Sequence, residues 1–180
     1  MDPKTLTTDT MPAGSVPTGS VPADSVPVDS VPADMPADMP AAVARVEALF
    51  AALSPQDVER LGSFYTDDVW FKDPFNEVRG VAEVQRIFRH MYVALHEPRF
   101  VITGRIVGAG ECFLSWEFRF RFRSFDSGTG QLVRGASHLR FAADGRVCWH
   151  RDYWDAAEEL YEKLPAVGAL MRWLKRRASR

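Results

Sequence analysis

The stretch CFLSWEFRFRFR, residues 112–123, constrains the fold more than any other part of the chain. Its even positions are the apolar Leu114, Trp116, Phe118, Phe120 and Phe122, and its later odd positions are the charged Glu117, Arg119, Arg121 and Arg123. Successive side chains leave a strand on opposite sides, so this alternation predicts a β-strand with one buried and one polar face.

The flanking patterns supply partners for that strand. Alternating segments at 100–107, 132–141 and 146–154 read as further antiparallel strands. They are separated by Gly108-Ala109-Gly110, a loop over 124–131, and a hairpin turn at Ala143-Asp144-Gly145. Upstream, Val43, Val46, Leu49, Phe50 and Leu53 recur at helical spacing over 41–53. Ser54, Pro55 and Asp57 then cap a second short helix that runs to about 65. VWFKD, residues 69–73, reads as a short strand, and Val81 to Leu95 carries a long helical stripe after Gly80. Helical patterns return after Asp155. Leading helices followed by a meander predict an α+β fold: a conical barrel of a curved, mainly antiparallel sheet, with helices packed on its concave face. Such an interior suits a small ligand.

Composition sets the domain limits. Residues 1–40 repeat SVPTG, SVPAD and SVPVD units, hold eight of the twelve prolines and contain no aromatic residue. A segment with so little apolar surface is predicted to be a disordered acidic tail. Residues 41–180 then form one compact domain. The tail carries six Asp and one Lys; the rest has a surplus of three positive charges, and five basic residues lie in the last nine positions. Apart from that terminus the folded part is slightly acidic, which argues against a nucleic-acid partner. No apolar run has the length of a signal core or a membrane span, and Cys112 and Cys148 form no CxxC. These features predict a cytoplasmic protein with reduced thiols. The basic helical pattern AVGALMRWLKRR is expected to close the mouth of the cone rather than touch a membrane.

Four stretches, FYTDDVWFKDP with the following Gly80, SHLRF with its DGRV turn, and HRDYWD, resemble the nuclear-transport-factor-2-like superfamily over about residues 43–161. That superfamily includes ketosteroid isomerases, SnoaL-like polyketide cyclases and limonene epoxide hydrolases. The resemblance to the isomerases implies Asp73 as a proton-shuttling base; it shares strand parity with Val69 and Phe71 and is expected to point into the apolar cone. The isomerase tyrosine and protonated acid would fall at Phe50 and Ser137. A missing oxyanion donor costs on the order of 3 kcal/mol, which argues against a steroid isomerase. The resemblance to the hydrolases places an acid at Asp152. It also puts their Arg-x-Asp over Trp116 to Arg119, and their water-holding tyrosine and asparagine on Phe71 and Asp73.

WHRDYWD adds a combination of its own. On a strand, Cys148, His150 and Asp152 share one face and Trp149, Arg151 and Tyr153 the other. With Asp152 inward, His150 follows. Together with Asp73 they form a candidate catalytic set, as the cyclases also use a His and an Asp. Phe71, Phe88, Trp116, Phe118, Ser137 and Trp154 are the candidate ligand-binding residues, with no metal or cofactor, since His90, His96 and His138 lie elsewhere. Structural roles stand beside these. Asp73 caps the loop before Gly80 or pairs with Lys72 or Arg79; His150 is a core histidine; Asp152 pairs with an arginine or caps the next helix.

Arg119, Arg121, Arg123, Arg134, Arg140, Arg151 and His138 are expected on the outer sheet face, a surface for a homodimer or an anionic partner. Two functions follow: a cofactor-free isomerase, cyclase or hydrolase acting on a small hydrophobic molecule, or a non-catalytic ligand-binding or scaffold dimer.

Overall fold

The computed structural model describes residues 35–123 and 128–156. The expectations for the proline repeats up to residue 34 and for the helical patterns after 156 lie outside them. Helix α1 spans Met39–Ala51. The Asp38 carboxylate accepts from the Ala41 amide at 2.9 Å and caps it, so the helix starts two residues before the expected boundary. Helix α2, Pro55–Glu59, opens with a reciprocal capping box between Ser54 and Asp57, followed by a 3₁₀ turn at Leu61–Ser63. Strand β1 (Tyr65–Lys72), the short β2 (Glu77–Arg79) and helix α3 (Val81–Ala94) come next. Gly80 precedes α3 with φ +98°, in the region that favours glycine, and its amide reaches the Val69 carbonyl at 2.8 Å.

Strands β3 (Leu95–Val107), β4 (Glu111–Phe122), β5 (Gln131–Phe141) and β6 (Val147–Tyr153) form the meander. The sheet order is β2-β1-β6-β5-β4-β3, with β1 parallel to β6 and every other pair antiparallel. The fold is α+β as expected, and the sheet curls without closing: β2 and β3 are its two edges. Strand β3 begins before Pro98 rather than after it. An edge strand tolerates a proline, and the register shifts between His96 and Arg99 accommodate it.

Val43, Val46, Leu49 and Phe50 of α1 and Val84 and Phe88 of α3 pack onto Val69, Phe71, Leu114, Leu139 and Phe141 of the sheet. Each fully buried side chain of this size contributes about 1.5–3 kcal/mol. Two irregularities shape the site. In β6, Val147 pairs with Phe141 and Trp149 with Arg140, so Cys148 is the extra residue of a bulge. Val147 and His150 are therefore both buried although their parity differs. In β1, the pairing with β6 is broken between Tyr65 and Trp70.

Candidate active site

His150 is 1% exposed and boxed by the rings of Phe50, Tyr65 and Phe71, whose centroids lie 5.9, 5.9 and 4.8 Å from its own. Both of its ring nitrogens are engaged. Nδ1 is 2.8 Å from Tyr65 Oη, and Nε2 is 2.8 Å from Asp152 Oδ1. The same Oδ1 accepts from Ser137 Oγ at 2.5 Å, and Ser137 Oγ accepts from Trp116 Nε1 at 2.9 Å. Five side chains from β1, β4, β5 and β6 thus form one hydrogen-bonded chain.

The donor inventory fixes its direction. The indole N–H only donates, so the Ser137 proton goes to Asp152. A carboxylate only accepts, so His150 Nε2 carries a hydrogen. Burial, and next the charge of Asp152, push the Tyr65 phenol well above its usual pKa. It stays protonated, and it donates to Nδ1 when the imidazole carries its hydrogen on Nε2 alone. Two donors hold Oδ1 of Asp152, while Oδ2 has no hydrogen-bond partner among the described residues.

Trp116 reaches Ser137 because residue 135 is a glycine. A Cβ on Gly135 would lie 2.5 Å from Trp116 Cη2, 2.7 Å from Cζ2 and 2.8 Å from the Tyr153 carbonyl. The indole packs against residue 135 of β5 and is 6% exposed.

Two spaces meet at Asp152. Inside the cone, Phe50, Phe88, Phe100, Ile102, Leu114 and Trp116 enclose a crevice of about 10 Å³ that Ser137, His150 and Asp152 also line. That is about the room one water needs. Outside, an open groove of about 540 Å³ runs past Lys72, Asp73, Arg151, Asp152, Tyr153 and Trp154.

Of the expected catalytic residues, His150 and Asp152 are hydrogen-bonded to each other, whereas Asp73 lines the same groove as Asp152 without joining that hydrogen-bonded chain. Strand β1 ends at Lys72, and the Asp73 carboxylate turns back into its own loop. There Oδ1 accepts from the Phe75 amide at 2.7 Å, the Asn76 amide at 2.6 Å and Asn76 Nδ2 at 3.0 Å. Strand parity fails at this point because the turn, not the pleat, orients the side chain. Among the expected ligand-binding residues, Phe88, Trp116 and Ser137 line the crevice, Phe71 packs beneath His150, and Trp154 lines the groove. Phe118 belongs instead to an adjoining aromatic cluster, stacked on Phe100 at 4.5 Å. Tyr65 carries no signal in the sequence beyond its place in FYTDD; its partner is 85 positions away. Burial pushes the Cys112 thiol up to about 12, leaving no ready thiolate there.

The outer face differs from the expected cationic surface. Arg119 and Arg134 meet Glu117, Arg121 meets Glu97, and Arg140 and His138 meet Glu111. Burial holds His138 below its usual pKa against the pull of Glu111. An aromatic ladder crosses this face: Trp70 stacks on Trp149 at 5.0 Å, Trp149 meets His138 at 4.7 Å, and His138 stacks on Phe113 at 4.2 Å. Among the described residues, no helix is long and apolar enough to cross a membrane.

The fold has many solved relatives. A protein of ketosteroid isomerase-like fold from Catenulispora acidiphila DSM 44928, in complex with trimethylamine, is 15% identical with a TM-score of 0.57, covering 68% of this chain and 92% of that one. An LEH-like epoxide hydrolase from M. tuberculosis is 18% identical with a TM-score of 0.56, covering 67% and 87%. A protein assigned by similarity as a SnoaL-like polyketide cyclase, from Jannaschia sp. CCS1, is 16% identical with a TM-score of 0.58, covering 69% and 92%. At such identities the likeness concerns the fold alone. No curated protein matches the chain significantly. The SnoaL-like domain family matches residues 46–150, more than half of the sequence, and the chain belongs to that family.

Proposed function

We propose that this domain is a cofactor-free acid–base enzyme for a small, largely apolar molecule, with Asp152 as the proton acceptor. The reading rests on one observation: a single carboxylate borders both the crevice and the groove, with Oδ1 held by two donors and Oδ2 unengaged among the described residues. Hydrogen bonds from His150 and Ser137 orient the Asp152 carboxylate, and Tyr65 in turn orients the His150 ring.

Among isomerase, cyclase and hydrolase chemistry, hydrolysis fits best. Phe50 offers no donor to an enolate oxygen, whereas the crevice has the size of one water beside Asp152. In this step a water proton moves to Oδ2 and the water oxygen attacks an electrophilic carbon of a molecule seated in the groove. A strained C–O bond opens, and the leaving oxygen takes a proton from solvent at the open mouth. A positioned base contributes about 10²–10⁴-fold.

A non-catalytic dimer is the second reading, favoured by an interior with room for little more than one water and by the partly exposed ladder ending at Phe113, 39% exposed. The deciding experiment monitors small epoxides, ketones and 1,3-dicarbonyls by NMR in heavy water, with wild type beside Asp152→Asn, and measures oligomeric state by analytical ultracentrifugation. Turnover or exchange lost in the variant supports the enzyme. A folded, dimeric protein that transforms no member of the panel supports the second reading.

A further inference from the structure

We propose that the substrate carries a carboxylate and that Arg151 receives it; this rests on the proposed site at Asp152. Arg151 is half-buried and lines the groove beside Asp152. It makes no hydrogen bond or ion pair among the described residues. Arg105, Arg119, Arg121, Arg134, Arg140 and Arg146 all reach a carboxylate, and Arg79 and Arg99, unpaired like Arg151 among the described residues, do not line this groove. The Tyr153 ring lies 4.8 Å beneath the Arg151 guanidinium carbon. An aromatic face supports the guanidinium plane while leaving its N–H edge free, and that edge matches a carboxylate in bidentate geometry.

The neighbours point the same way. Lys72 stands directly opposite Arg151 across β1 and β6, and its ammonium is shared with Glu77 at 2.8 Å. Glu77 pairs with Lys72 and feels the Arg151 charge from beyond ion-pair distance, so its carboxylate does not occupy the guanidinium edge. Asp73 does not serve, because its oxygens are engaged by the donors of its own turn, nor does Asp152 Oδ1, which already holds Ser137 and His150. These carboxylates also set the charge of the ligand. A phosphate dianion would meet Asp73, Asp152 and Asp155 in one groove, so a monoanion is better accommodated. Arg151 and Asp152 both line this groove, so one molecule seated in it can meet both residues, and Trp154 offers a wall to its apolar body.

The test uses the full chain with two probes that share an epoxide, 3-phenylglycidate and 3-phenylglycidamide, and the variants Arg151→Gln, Arg151→Lys and Asp152→Asn, each checked for folding by circular dichroism. Preference for the acid of at least tenfold in kcat/KM, abolished in Arg151→Gln through a raised KM and partly kept in Arg151→Lys, is the expected result. Equal turnover of both probes, lost in Asp152→Asn, overturns the role of Arg151 and leaves the acid–base reading intact. If neither probe reacts, binding of phenylacetate, phenylacetamide and phenethylammonium is followed at the Trp154 indole resonance. Selective binding of phenylacetate, lost in Arg151→Gln, upholds the carboxylate site without the enzyme. Preference for the ammonium or the amide, or binding of none of the three, overturns it.

Discussion

Ser137 and Asp152 face each other directly across β5 and β6, with the serine hydroxyl 2.5 Å from the carboxylate. The serine also accepts from the Trp116 indole, so one hydroxyl ties a buried aromatic of β4 to the carboxylate that borders the groove. Packing and proposed chemistry are coupled through a single atom.

Ser137→Ala should leave the Trp116 N–H buried without an acceptor. An unsatisfied buried donor costs about 1–3 kcal/mol. Trp116→Phe in the Ser137→Ala background should therefore cost less than in wild type, with a coupling of about 1 kcal/mol. Urea unfolding of the four proteins measures this; additive losses would contradict the hydrogen bond.

Gly135→Ala should displace the indole, because its Cβ would sit 2.5 Å from Trp116 Cη2 and 2.8 Å from the Tyr153 carbonyl. Overpacking of this kind costs about 1–3 kcal/mol. Gly62→Ala, where nothing lies within 4 Å, serves as the control. The expected readout is a lower Tm and changed tryptophan fluorescence for the first variant, with the control close to wild type.

Alkaline stability should depend on Tyr65. Its pKa is raised on folding, first by burial and then by Asp152, so its contribution is complete below the unfolded value of about 10 and is lost as pH rises above it. In that window the native state holds one more proton than the unfolded state, and stability falls by about 1.4 kcal/mol per pH unit. Tyr65→Phe should cost about 1 kcal/mol at neutral pH and flatten the alkaline limb by one proton. Denaturation series from pH 9 to 11 give the slopes.

Asp73 should behave as a turn residue. Asp73→Asn retains an acceptor for the Phe75 and Asn76 amides and should change stability little, whereas Asp73→Ala should cost about 1 kcal/mol or more. Equal losses for the two variants would argue against the turn.

Much of the fold was legible in residue spacing. The alternation of residues 112–123 became β4 almost to the residue, and the stripe after Gly80 became α3. His150 and Asp152 lie on the inner face as strand parity required, because the pleat repeats every two residues regardless of what surrounds it. Parity misled where the backbone left the pleat: at Asp73, in a turn, and at Cys148, in a bulge.

The sequence by itself determined the order of the longer helices and strands and which face of each is apolar, since these follow from local periodicity. Only the tertiary structure decided that β1 runs parallel to β6 and so delivers the Tyr65 hydroxyl to His150. It also decided that Glu97, Glu111 and Glu117 pair with Arg119, Arg121, Arg134 and Arg140 while Arg151 has no ion pair among the described residues. The filling of the cone, down to the room of one water, was likewise set by packing. These outcomes depend on contacts between residues far apart in the chain, and local spacing carries no record of which strands become neighbours.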